Sequence, residues 1–345
     1  MRSFASDNNS GVHPEVMAAI IEANRDHAAG YGDDRWTERA AECVRQVFGE
    51  EARPFFLFNG TGANSVALQA VARAGPSPPS FHSILCAATA HIYVDECNAP
   101  ARMTGCQLIA VATPDGKLTP DLLRPHLQHF GDCHHAQPGA VYISQATELG
   151  TLYTVEEVRA IASLVHAHGM KLHMDGARLV NACAALGCTM REVTVDAGVD
   201  ILSLGGTKNG MMMGEAVVAF REEVAADIKY YRKQSAQLAS KMRYLSAQFI
   251  PYLDGLWLRN AQHANRQARR LAAALARFPQ LRLTQPVETN QLFIAMPRTV
   301  IARLSERYFF YVWNEAADEV RFVTSWDTTD EDIDALVDAL AEIME

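Results

Sequence analysis

A lysine framed by glycines closes an apolar run: Ile201-Leu-Ser-Leu204 leads directly into Gly205-Gly-Thr-Lys-Asn-Gly210. Neighbours without side chains let a flat ligand approach the Lys208 amine. A lysine amine kept partly neutral forms Schiff bases with carbonyl compounds. Alone, such a segment is as readily a solvated turn. A second segment changes that balance. Lys171-Leu-His-Met-Asp-Gly-Ala-Arg178 has the pattern of a strand that ends at Asp175 and turns through Gly-Ala into a helix. A carboxylate in that place pairs with a pyridinium nitrogen and keeps it protonated, so that the ring withdraws electrons. Arg178 offers a planar fork of donors to a ring oxygen or a substrate carboxylate. Strand-terminal aspartates also serve as plain helix caps. Beside a glycine-framed lysine, this one is half of a site for pyridoxal 5'-phosphate (PLP).

The phosphate of such a cofactor needs a cup. Asn59-Gly-Thr-Gly-Ala-Asn64 lies between an apolar run and a helical pattern, where backbone N–H groups of Gly60 and Thr61 and the Thr61 hydroxyl can hold an anion. The third glycine of a dinucleotide fingerprint is missing, since Ser65 stands in its place. One phosphate fits that loop better than two. His91 follows another apolar run, in Thr89-Ala-His-Ile-Tyr-Val-Asp-Glu96, where an aromatic ring can stack on a flat cofactor. A histidine at a strand end is more often a packing or capping residue, and only the other motifs lift it above that.

These residues need elements to hold them. Strand-length apolar runs at 55–58, 84–87, 108–112, 140–144, 171–174, 201–204 and 216–220 alternate with helical stretches. Several are apolar almost throughout, as in strands buried on both faces of a parallel sheet. Thr119 before Pro120, and Thr154 with Glu157, mark helix starts. The alternation predicts an α/β fold with helices on both faces of a mostly parallel, seven-stranded sheet. From about Tyr230 to Arg277 the pattern becomes long helices, followed by short strands near 281–284, 291–295 and 320–324 and a closing helix after Thr328 or Thr329. The expected division is a large cofactor domain over 1–245 and a small α+β domain over 246–345. Gly75–Ser80 resembles a linker.

Composition narrows the class. The 345 residues are 49% hydrophobic and 21% charged, with a net charge of −9 and no basic patch, which speaks against a nucleic-acid partner. No apolar run approaches the ~20 residues that span a bilayer, so no membrane partner is expected. The first residues carry no apolar stretch of the secretory kind. Seven scattered cysteines without a CxxC pair suggest reduced thiols and a cytoplasmic location, and give no pattern for a metal site.

Several segments together resemble the low-specificity L-threonine aldolases. They are Ser6-Asp-Asn, Tyr31-Gly-Asp-Asp34, Gly60-Thr-Gly, His91-Ile-Tyr, His173-Met-Asp-Gly-Ala-Arg178, Gly205-Gly-Thr-Lys-Asn-Gly210, Met242-Arg243, Thr289-Asn290 and Arg321-Phe-Val-Thr324, in consistent order along nearly the whole chain. The resemblance implies a fold-type I, aspartate aminotransferase-like architecture and a homotetramer of tight dimers with active sites at the dimer interface. It implies that Lys208 carries PLP, Asp175 meets the pyridine nitrogen, Gly60 and Thr61 hold the phosphate, and His91 stacks on the ring. Ser6, Arg178 and Arg321 are similar to the residues that bind the substrate carboxylate. His135 falls at a second active-site histidine, Glu96 at a carboxylate near the substrate, and Arg243 at a phosphate contact from the same or a neighbouring chain. The family often has Asn-Thr-His-Asn where this chain has Ala146-Thr-Glu-Leu149, and Ser-Lys-Gly where it has Thr-Lys-Asn. Both departures bear on substrate preference.

The expected reaction is retro-aldol cleavage of L-threonine, L-allo-threonine or phenylserine to glycine and an aldehyde. His91 or His135 is the expected base or water-positioning group, with Glu96 acting through water as the alternative. Another fold-type I PLP enzyme, an aminotransferase or β-eliminating lyase, shares the lysine, aspartate and cup. A nucleotide-binding oxidoreductase using the Gly60 loop predicts no chromophore. A non-catalytic protein of the same fold fits poorly with intact Lys208, Asp175 and Arg321.

Overall fold

The runs that are apolar on both faces become the inner strands of one sheet. The structure, a computed structural model, describes residues 2–74 and 81–344, so the linker-like Gly75–Ser80 lies outside the described residues. Strands β1 (Arg53–Leu57), β2 (His82–Ala87), β3 (Gln107–Val111), β4 (Gln137–Ser144), β5 (Lys171–Gly176), β6 (Ile201–Gly205) and β7 (Glu215–Ala219) form a sheet in the order β1-β7-β6-β5-β4-β2-β3. β2, β6 and β7 are buried along their whole length.

Pairings β2–β3, β2–β4, β4–β5 and β5–β6 are parallel, while β7 runs antiparallel to both β1 and β6. Six strands therefore point one way. Their carboxyl ends, together with the amino end of β7, share one edge of the sheet, which is where open α/β sheets bind ligands. The helix Gly60–Ala74 packs on β4, β5, β6 and β7 through an almost wholly buried surface, and its first turn opens at that same edge. Thr154 and Glu157 form the expected capping box at the start of the helix Val155–Ala167. Thr119 caps the helix Pro120–Leu123, which is only one turn long before a 3-10 turn.

The C-terminal region differs from the expectation of long helices from Tyr230 to Arg277. The helix Ile228–Gln234 ends before Ala236, whose φ is +56°, and Gly255 at φ +85° breaks the chain again before the long helix Trp257–Leu275. Beyond it β8 (Arg282–Leu283), β9 (Gln291–Ala295), β10 (Tyr311–Asn314) and β11 (Glu319–Val323) form an antiparallel sheet in the order β10-β11-β9-β8. β10 was not among the expected strands. It is mostly exposed and its run is cut short by Asn314-Glu315.

Among the described residues two large hydrophobic cores result, beside a small cluster of Ala146, Leu152 and Ala182. One surrounds the large sheet; the other joins β9, β11 and the helices Arg298–Ser305 and Asp330–Met344. The helix Trp257–Leu275 serves both, with Ala261 in the first core and Ala268 and Leu271 in the second. The N-terminal segment is sewn into the small sheet: Phe4 is wholly buried against Tyr308 and Phe322, and the Val323 N–H donates to the Phe4 carbonyl at 2.8 Å. That seam delivers residues 6 and 7 to the edge where the large strands end.

Gly205, the last residue of β6, is there because backbone approaches it. A Cβ at this position meets the Cα of Ala177 at 2.7 Å and its carbonyl oxygen at 2.8 Å. Gly205→Ala is expected to cost about 1–3 kcal/mol through forced backbone shifts. A lower denaturation midpoint at unchanged m-value is the expected result, and an unaltered midpoint counts against the tight approach.

Candidate active site

At the shared edge a cavity of about 620 Å³ is lined by Lys208, Arg178, Arg321, His91, Ser6 and Trp313 among others. Lys208 enters it from a 3-10 turn that follows β6. Burial pushes the Lys208 ammonium below the ordinary lysine value, and the positive charge of Arg178 adds to this, while Asp7, Asp175 and Glu215 pull the other way. The result is an amine with an enlarged neutral fraction, the form that attacks a carbonyl.

Asp175 is the penultimate residue of β5 and is 7% exposed. One carboxylate oxygen accepts from the Tyr142 hydroxyl at 2.6 Å and from Asn64 Nδ2 at 2.8 Å; the other accepts from the Ala177 N–H at 2.8 Å. Burial drives this carboxyl upward, but the Tyr142 bond, the Lys208 charge, Asn64 and the Ala177 N–H outweigh it, and Asp175 stays below the usual carboxylate range. It is a fixed buried anion with a lone pair to spare.

Two arginines line the cavity. Arg178 is held by a fork of two 2.8 Å bonds from Nε and a terminal nitrogen to the carboxylate of Asp7, which is 1% exposed and also accepts from Asn290. Arg321 is different. It donates to the Ala5 carbonyl at 3.3 Å, its Nε is buried without a partner among the described residues, and its guanidinium lies 4.6 Å from the Trp313 ring centroid. Burial and the nearby Arg178 lower it to about 10. A desolvated cation with unused planar donors is a receptor for a carboxylate.

In the same cavity His91 Nδ1 lies 2.8 Å from Glu96 Oε1, and the His91 backbone N–H donates to Glu148 Oε1 at 2.9 Å. The Glu96 bond raises the imidazole above its ordinary value against the opposing effect of burial. Its side chain remains 40% exposed while that of Glu96 is fully buried. The imidazole thus has one nitrogen fixed on a carboxylate and the other free for a substrate. At the first turn of the helix Gly60–Ala74, the Asn59 side chain accepts from the Gly62 N–H at 2.8 Å, and Gly60 has no atom within 4 Å of a would-be Cβ. The N–H groups of Gly60 and Thr61 are left at an open helix terminus.

Two expected site residues lie elsewhere in this chain. His135 precedes β4, at the edge opposite the cavity, where it stacks on His129 at 4.2 Å and meets Asp132 at 2.9 Å. With Asp132, the His129 and His135 ligand atoms lie within 4.8 Å of one another, in an exposed loop. Arg243 donates to the Asp26 carbonyl at 2.8 Å and lies over its neighbour Tyr244, away from the cavity. Sequence reasoning passed over Asp7, Asn64, Tyr142, Glu148 and Glu215. Glu215 is a buried carboxyl pushed up to about 7 by burial, with Lys208 opposing. Asn64 alone carried a signal, as a buried-side polar residue within the first turn of an apolar helix.

The donor set suits PLP: a partly neutral lysine, an ionised carboxylate at a strand end, an open cup and room above it. Relatives agree. Residues 3–298 match the family model described as beta-eliminating lyase. A low specificity L-threonine aldolase of Pseudomonas aeruginosa is 46% identical over 95% of this chain and 93% of that enzyme. Another from Pseudomonas sp. (strain NCIMB 10558) is 43% identical over 99% of this chain and 98% of that one. The solved threonine aldolase of Leishmania major superposes with a TM-score of 0.92 at 28% identity, over 100% of both chains. The enzymes of this fold-type I family depend on PLP. The chain therefore belongs to the beta-eliminating lyase family and, within it, to the low-specificity L-threonine aldolases.

Proposed function

We propose that the cavity takes a β-hydroxy-α-amino acid such as L-threonine, L-allo-threonine or phenylserine by its carboxylate and cleaves its Cα–Cβ bond to give glycine and an aldehyde. The observation that carries this is Arg321, a desolvated cation with an unused Nε on the wall of the cavity that Lys208 enters. Ser6 and the Asp7-held Arg178 support it from the same side. A dinucleotide oxidoreductase has no use for that arrangement.

In this reading Lys208 would hold PLP through its neutral amine, and Gly60 and Thr61 would hold its phosphate. Asp175 would keep a proton on the pyridine nitrogen, and His91 would lie against the ring. Bound PLP supplies the electron sink for the pair of electrons released from the Cα–Cβ bond. Arg321 and Arg178 fix the carboxylate and so the orientation of that bond. His91 Nε2 takes the β-hydroxyl proton, while Nδ1–H stays on Glu96. Glu96 acting through water is the alternative base. His135 and Arg243 enter only through a second copy, within a homotetramer of tight dimers. Exposed Tyr31, Tyr93, Met212 and Met213 support such contacts. No described helix is long and apolar enough to cross a membrane. Seven scattered cysteines without a CxxC pair fit a reducing, cytoplasmic setting. Residues 1–245 serve as the cofactor-holding unit, and 246–345 deliver Arg321.

Lys208→Ala is expected to abolish both the visible chromophore of the loaded protein and aldehyde release from threonine; retention of either removes the lysine from its role. Arg321→Leu is expected to raise KM for threonine about 10- to 100-fold, the range for losing a hydrogen bond to a charged group, with the chromophore intact. A KM within twofold of the parent places the carboxylate elsewhere. Cleavage needs neutral His91, so the rate falls as pH drops through a His91 pKa held above its ordinary value. Glu96→Gln removes the group that raises it and is expected to shift this acid limb to lower pH. A limb that stays in place excludes the His91–Glu96 pair as the base.

A further inference from the structure

One buried side chain joins the two halves of the site. Asn64 is 1% exposed and sits in the first turn of the helix whose start forms the anion cup. Its amide nitrogen carries two hydrogens, and both are used: one donates to Glu96 Oε1 at 2.9 Å, the other to Asp175 Oδ2 at 2.8 Å. Glu96 Oε1 is also the atom that meets His91 Nδ1, and Asp175 Oδ2 is also the atom that accepts from Tyr142. A continuous path therefore runs from His91 through Glu96, Asn64 and Asp175 to Tyr142. The Asn64 Oδ1 and Glu96 Oε2 atoms along it have no hydrogen-bond partner among the described residues. The amide is anchored by its nitrogen alone.

We propose that Asn64 is a positioning residue that ties the His91–Glu96 pair to the Asp175 anion and sets the proton affinity of His91. An N–H bonded to a carboxylate draws charge off it, and Asn64 does this to both carboxylates whose fields reach His91. Without those donors, Glu96 and Asp175 present more negative potential to the imidazole, which then holds its proton to higher pH. Charged groups act on His91 from several elements: Glu96 on its own segment, Glu148 from the loop after β4, Asp175 from β5 and Lys208 from the loop after β6. Asp95, Arg178 and Arg321 line the same cavity. Asn64 is the neutral group that two of these carboxylates share. The inference deepens the reading of His91 as the base, and its direct test does not need that reading.

The test is the pH dependence of diethylpyrocarbonate labelling of His91, located by peptide mass spectrometry on the full-length chain with and without PLP. Only the neutral imidazole reacts, so the midpoint reports its proton affinity. Asn64→Leu, which removes both donors, is expected to raise the midpoint by about half to one pH unit. Asn64→Ala, which also removes both donors without adding bulk, is expected to raise it by the same amount, which covers the case in which the leucine variant fails to fold. His91→Asn identifies the labelled peptide. A purely structural role leaves the midpoint of a folded variant where it was, and that result overturns the proposal. The acid limb of threonine cleavage, followed in parallel, separates the two readings. If the labelling midpoint rises and the limb does not, Asn64 tunes His91 as inferred and His91 is not the base.

Discussion

A lysine amine and an aspartate carboxylate share one space at the carboxyl edge of the large sheet, largely shielded from water, and much of the surrounding structure follows from keeping that pair tolerable. Isolated buried charges are very costly, so each must find a partner or change its protonation state. Asp175 is held ionised by a hydroxyl, an amide and a backbone N–H. Lys208 yields instead, shifting toward the neutral form. Glu215, buried beside the lysine, shifts the other way, up to about 7. The site holds its reactive amine by an imbalance of this kind, in which burial and Arg178 lower the ammonium against the pull of Asp7, Asp175 and Glu215.

The same logic separates the two arginines. Arg178 has its charge met by Asp7 in a two-point fork, so it can serve as a fixed wall. Arg321 makes no ion pair with a carboxylate among the described residues and meets only aromatic faces and one carbonyl. Its charge is left for an incoming anion. Both placements rest on the seam between the N-terminal segment and the small sheet. Phe4 packs in the second core and residues 5 to 7 then cross to the large sheet's edge. A loss of packing at Phe4 thus reaches the substrate site without touching it.

The direction of β7 matters as much. Because it runs against its neighbours, its first residue, Glu215, rather than its last, sits beside Gly205 and Leu57 at the site edge. The connection between β6 and β7, residues 206–214, therefore stays at that edge and carries Lys208 on its 3-10 turn. Close backbone contact between Gly205 and Ala177 locks that turn to the one bearing Asp175 and Arg178. Glycine at 205 is thus a steric requirement of the approach between two catalytic loops.

Local physics was legible in the sequence because it acts over a few residues. Buried runs marked the seven large-sheet strands to within a few residues at each end, and Thr154 with Glu157 announced a capping box that forms as expected. The Lys208, Asp175 and Gly60 motifs were recognisable because each is a strand end followed by its own turn, and a turn's chemistry is written in adjacent residues. The break at Gly255 and the strand β10 were missed. A helical composition hides a single left-handed residue, and an exposed edge strand lacks a buried face to pattern it. What the chain's order alone could not decide is which groups meet across distance. Asn64 reaches Asp175 over 111 residues and Arg178 reaches Asp7 over 171. His135, expected in the site, lies at the far end of β4. Such partnerships depend on strand order and direction in the sheet, which tertiary packing selects and no local spacing encodes.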